Sequence, residues 1–149
     1  MENSNRIILL RCGELMLKGQ NRKYFEDKLV RNIRHAISDL GDARIATSRG
    51  RVFVEPEGAD FNFDKALERL TKVFGVVSIS PVYKIESDFD AIKEHSLAMV
   101  KDSVAEKNLV TFKVETKRAN KSFPLESPEV SRDLGEHLLK NIPSLKVDV

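Results

Sequence analysis

Residues Ala43–Pro56 read ARIATSRGRVFVEP. On either side of Arg49-Gly50 apolar and polar residues alternate, as they do in strands with one buried face. A tight turn at Arg49-Gly50 would join the two runs as an antiparallel hairpin, which Pro56 and Gly58 then end. Upstream, Phe25, Leu29, Ile33, Ile37 and Leu40 recur at fours and threes from Asn21 onward, a single helical stripe with Gly41 as its expected C-cap. Before that helix, RIILLRC at Arg6–Cys12 is short, apolar and soon meets Gly13, which suits a buried strand. Downstream, a second stripe starts at Asp64 and runs through Leu67, Leu70 and Phe74, with Gly75 stopping it before the apolar run VVSISPVYKI. The order is therefore β-α-β-β-α-β. This is the split βαβ or ferredoxin-like arrangement of the α+β class, in which two helices cover one face of a four-stranded antiparallel sheet and leave the other face available.

The boundary of this first domain is expected near Ser78 to Ser87, giving domains of 1–80 and 81–149. In IESDFD, Ile85–Asp90, Ser and Asp offer N-caps for a helix carrying Ile92, Met99, Val100 and Val104 to about Glu106. LVTFKVETK then alternates like a strand, with Val110, Phe112 and Val114 facing one way. After a loop, Ser127 is the expected N-cap of a helix with Pro128 at its first position and Val130, Leu134 and Leu138 as its stripe. The final LKVDV reads as a strand beginning where the chain stops, which suggests a chain continuing into a larger protein.

The 149 residues are 41% hydrophobic and 32% charged, the balance of a folded globular protein. No apolar run approaches the roughly 20 residues of a membrane helix. The start MENSNRIILLR lacks the basic region and cleavage site of a secretion signal. A cytoplasmic protein is expected. The single cysteine, Cys12, has no second thiol for a disulfide or metal pair. His35, His95 and His137 show no metal-ligand spacing, and no Gly-x-Gly or Gly-Lys-Ser/Thr is present to cradle a nucleotide. Catalytic, cofactor-binding and metal-binding residues are accordingly not expected in this chain.

The net charge of +2 is unevenly distributed. Lys18, Arg22, Lys23, Lys28, Arg31 and Arg34 stand against only Glu26 and Asp27. A second cluster, Lys113, Lys117, Arg118 and Lys121, surrounds a strand end and a loop with only Glu115 nearby. Local clusters on a near-neutral background suit a defined polyanion footprint, although surface cations are also commonly just solvated. Phe123 and Tyr24 could add stacking surfaces for unpaired bases, the usual grasp of exposed RNA.

Two segments carry a family likeness. ILLRCGELMLKGQNRKYFEDKLVRNI, Ile8–Ile33, resembles the opening of tRNA 4-thiouridine synthetases, and FKVETKRANKSFPLESPEVSRDLG, Phe112–Gly135, resembles the core of the THUMP domain that follows in that family. The resemblance implies a ferredoxin-like domain and then a THUMP domain whose final strands lie beyond Val149. It also implies a downstream PP-loop domain that uses ATP to activate a tRNA uridine, with sulfur delivered as persulfide from a cysteine desulfurase. No Gly-Gly occurs here, so ATP is expected in that downstream domain and not in this chain. The implied task is to dock the tRNA acceptor end, with no membrane partner and possible homodimers. Candidate phosphate ligands are Lys117, Arg118 and Lys121, with Lys113 beside them, Asn120 for a sugar or base edge, and Phe123 for stacking or loop anchoring. In the first domain the matched positions give Lys18, Asn21, Arg22 and Lys23, where Asn21 is equally a helix cap. The resemblance does not decide whether the whole protein also serves thiamine synthesis. Alternatives from other classes are the RNA-binding part of a THUMP-containing methyltransferase or pseudouridine synthase, a self-association module, and a small acyl-phosphate hydrolase using Arg11 and Asn21.

Overall fold

Strand β1, Arg6–Cys12, is the centre of the first unit. It pairs antiparallel with β3, Arg51–Pro56, on one side and β4, Val76–Tyr83, on the other. Strand β2, Ala43–Ser48, completes the order β2-β3-β1-β4. The computed structural model describes residues 6–13, 21–48 and 50–148, and the chain divides into two units between Lys84 and Ile85.

Helices α1, Arg22–Ala36, and α2, Phe63–Leu70, lie on one face of this sheet. Ile8 and Leu10 from β1, Val52 and Val54 from β3, Leu29 and Ile33 from α1, and Ala66 and Leu70 from α2 form a common core. Each such large apolar side chain contributes on the order of 1.5–3 kcal/mol on burial. Arg69 of α2 ties the helices together. It donates to the Ala36 carbonyl at 3.2 Å and pairs through both terminal nitrogens with Asp39, so a cation stands at the C-terminal end of α1.

Three details differ from the sequence expectation. Helix α1 ends at Ala36, so Ile37 and Leu40 are buried from a following turn, and Gly41 is not the C-cap. Gly41 instead has φ +126°, and a Cβ there would meet the Phe61 backbone at 3.0 Å. Helix α2 ends at Leu70 because the chain turns at Thr71–Val73; Phe74 leaves the stripe and is 87% exposed. The helix-free face of the sheet is not wholly open either, since Ile7 and Leu9 are 8% and 7% exposed. A central strand buried on both sides accounts for the unbroken run IILL.

In the second unit α3, Phe89–Lys107, starts at Asp88, whose carboxylate accepts from the Ala91 N–H at 3.2 Å, and ends at Asn108 in the left-handed conformation. Helix α4, Ser127–Asn141, packs against α3 and buries Val130, Leu134 and Leu138. Its N-cap is Glu126, one residue before the expected Ser127. The expected strand over Leu109–Lys117 is reduced to β5, Thr111–Phe112, because its parallel partner β6, Lys146–Val147, is equally short. Val110 is 56% exposed as a result.

Candidate nucleic-acid interface

The cationic loop runs from the end of β5 to the start of α4, and its own hydrogen bonds shape it. Arg118 is half-buried and turns inward, its Nη1 donating to the carbonyls of Phe123 at 3.2 Å and Leu125 at 3.3 Å. The Asn120 side-chain oxygen accepts from the Ser122 N–H at 3.0 Å and its hydroxyl at 2.7 Å, while Phe123 N–H donates to the Asn120 carbonyl at 3.2 Å. These bonds make Ala119–Phe123 a closed turn of the Asx kind. The Thr116 and Ser131 hydroxyls, 2.8 Å apart, fasten the loop to α4.

The four cations of the loop therefore differ in what they do. Arg118 holds the frame, and Lys113 lies 3.5 Å from the Glu115 carboxylate. Lys117 and Lys121 are exposed, and among the described residues neither has a salt-bridge partner. Phe123 is half-buried, its backbone engaged by Asn120 and Arg118. The frame thus presents two free ammonium groups and the Asn120 amide nitrogen on a constrained turn. Sequence reasoning missed the inward turn of Arg118 and the Thr116–Ser131 tie; Asn-x-Ser at Asn120–Ser122 was a legible turn signal.

In the first unit, Asn21 occupies the N-cap of α1, but its side chain makes no capping bond. Arg22 and Lys23 follow it, exposed, and no acid lies in the first turn. Two cations at the positive end of a helix dipole oppose the usual preference and favour a bound anion. Tyr24 is 64% exposed and meets Phe25 edge to face at 5.6 Å. Lys18 and Glu14 lie outside the described residues.

Other features do not compete for the role. A cleft of about 330 Å³ beside α3 and α4 sets Asp90, Asp133 and Glu136 against Lys93, Lys140 and His137. Lys93 and Lys140 are within 3.4 and 3.0 Å of Asp90 and Glu136, so the cleft suits neither a polyanion nor a nucleotide triphosphate. The Cys12 thiol is pushed up by burial and by the Glu26 charge, which disfavours the reactive thiolate. Among the described residues no group of three or more His, Cys, Asp or Glu could hold a metal ion, and no helix is long and apolar enough to cross a membrane.

Comparison with known proteins places these features. The family described as ThiI ferredoxin-like domain matches residues 7–80, and the THUMP domain matches residues 86–149. A probable tRNA sulfurtransferase of Acetivibrio thermocellus is 56% identical over 97% of the chain, and one of Alkaliphilus metalliredigens is 48% identical over all of it. The chain belongs to the tRNA sulfurtransferase family. It corresponds to the ferredoxin-like and THUMP part of these sulfurtransferases and spans 37% of the length of either relative. Among solved structures, a 4-thiouridine synthetase in complex with RNA and with bound ATP is similar at a TM-score of 0.81 and 34% identity, over 97% of this chain and 36% of that one. A protein of Pyrococcus horikoshii is similar at 0.80 and 30% identity, over 97% of this chain and 47% of that one. The sulfurtransferase family thus joins the two units that the sequence delimits, and the cationic loop lies within the THUMP match.

Proposed function

We propose that this chain docks tRNA, its THUMP unit taking the single-stranded acceptor end while the ferredoxin-like unit supports the acceptor region. The observation that carries this reading is the division of labour in the 113–126 loop: Arg118 and Asn120 hold the turn, and Lys117 and Lys121 project from it without protein partners among the described residues. Phosphate contacts from such lysines position the strand, and Asn120 and Phe123 meet a sugar edge and a base. On this reading thiolation of a uridine is performed by a further domain of a longer protein. That domain holds the ATP, and a cysteine desulfurase supplies the sulfur. The work is cytoplasmic, and a homodimer is the expected assembly.

The test is fluorescence anisotropy with intact tRNA and with the same tRNA trimmed of its single-stranded end, over a range of salt. Affinity that falls on trimming and declines steeply with salt is expected. Binding indifferent to both would overturn the reading.

A further inference from the structure

One row of residues crosses the whole sheet of the first unit. Ser48 on β2 stands opposite Arg51 on β3, Arg51 opposite Arg11 on β1, and Arg11 opposite Ser78 on β4. Alternation fixes their face: Leu10 and Val52, the neighbours of Arg11 and Arg51, point into the helix-covered core, so the arginines stand on the helix-free side. Both are exposed.

Like charges directly opposite on antiparallel strands destabilise a sheet, because their Cβ atoms are only about 4.5–5.5 Å apart. The same face shows the ordinary solution two rows away on β2 and β3. There Arg44 stands opposite Glu55 and donates to its carboxylate at 2.6 Å. The row with two arginines holds two serines and no carboxylate, so it sets +2 and two hydroxyl donors side by side. Among the described residues neither arginine has a salt-bridge partner, so an anion laid across the row would offset their repulsion.

We infer that Arg11 and Arg51, flanked by the Ser48 and Ser78 hydroxyls, form a second phosphate-binding site for the RNA backbone. The row is open and not enclosed, which suits a chain of phosphates better than a small anion. The inference rests on the reading of the chain as a tRNA-docking module and adds a footprint outside the THUMP loop.

The decisive variant is Arg51→Glu, which turns the opposed like charges into an opposite pair. Its tRNA affinity is expected to fall about tenfold or more, and the slope of log affinity against log salt to become shallower by about one. Its Tm is expected to rise by about 1–8 °C. Arg11→Gln/Arg51→Gln should lose affinity similarly while remaining folded, and Lys65→Glu, the same charge change on α2, should stay within about twofold of wild type. Affinity and slope unchanged in Arg51→Glu, with the wild type binding tRNA, would overturn this site alone. A Tm that falls along with affinity would mark the arginines as structural and also overturn it. Thermal protection by inorganic phosphate that Arg51→Glu abolishes, with tRNA affinity kept, would assign the row to a small anion instead. No tRNA binding by the wild type would overturn the docking reading and this site together.

Discussion

The two cationic clusters look alike in the sequence and differ in the structure. On α1 the charges radiate from a regular helix, with Arg22 and Lys23 at an N-terminus that lacks a side-chain cap. In the 113–126 loop the charges are sorted: Arg118 serves the fold, Lys113 has Glu115, and Lys117 and Lys121 face outward. A count of cations measures neither. What matters is which donors the protein has already used, because only the remaining ones can meet a phosphate without breaking the frame.

The largest effect is expected at the two lysines that have no salt-bridge partner among the described residues. Lys117→Gln/Lys121→Gln should weaken tRNA binding about hundredfold and make the salt slope shallower by about 1.4, two single-strand phosphate contacts, with Tm unchanged. Arg22→Gln/Lys23→Gln should cost less, about threefold to tenfold, since those side chains are not held on a constrained turn. Anisotropy titrations on the two variants side by side would reverse this ranking if the helix pair proved the more costly.

Next comes the frame. Arg118→Ala leaves the Phe123 and Leu125 carbonyls without their donor and should cost about 1–2 kcal/mol in the unfolding of the second unit. Its affinity should also drop, because the lysines lose their fixed positions. Denaturant melts and amide exchange across residues 116–126 would read this. A loss of affinity with the loop unchanged would make Arg118 a direct ligand. Asn120→Ala removes the Asx turn and should cost about 1 kcal/mol, with a smaller loss of binding.

The smallest effect belongs to a cation used in the first unit. The Arg44 hydrogen bond, aided by Lys84, holds the Glu55 carboxyl below its ordinary range. A carboxyl depressed on folding contributes stability above its unfolded pKa and loses it as pH falls through the folded value. Tm should therefore drop below the usual carboxylate range more in the wild type than in Glu55→Gln. At a partly exposed site the difference is a few tenths of a kcal/mol. Thermal melts from pH 7 to pH 3 would show it.

Periodicity made much of the fold legible. The stripe of α1, the hairpin about Gly50 and the unbroken IILL of the central strand each follow from spacing and burial. Phe74 shows where that signal ends: it keeps helical spacing after Leu70, but the turn at Thr71–Val73 has already taken the chain out of the helix. Strand β5 is shorter than its alternation suggests because alternation reports a face and not a partner, and β6 offers only two residues to pair with. At the interface, Asn120 carried a readable turn signal, whereas the carbonyl partners of Arg118 did not, since sequence shows charge and not the direction of a hydrogen bond. The Arg11–Arg51 pairing needed the strand register, which joins residues 40 positions apart.

The proposed reading of the acceptor end by Lys117 and Lys121 is open to test by one thermodynamic cycle. Anisotropy would give the affinities of wild type and Lys117→Gln/Lys121→Gln for intact and for end-trimmed tRNA. Trimming is expected to weaken the wild type strongly and the double variant hardly at all, because both changes remove the same contacts. Losses that simply add would contradict it, placing the lysines and the acceptor end in separate interactions.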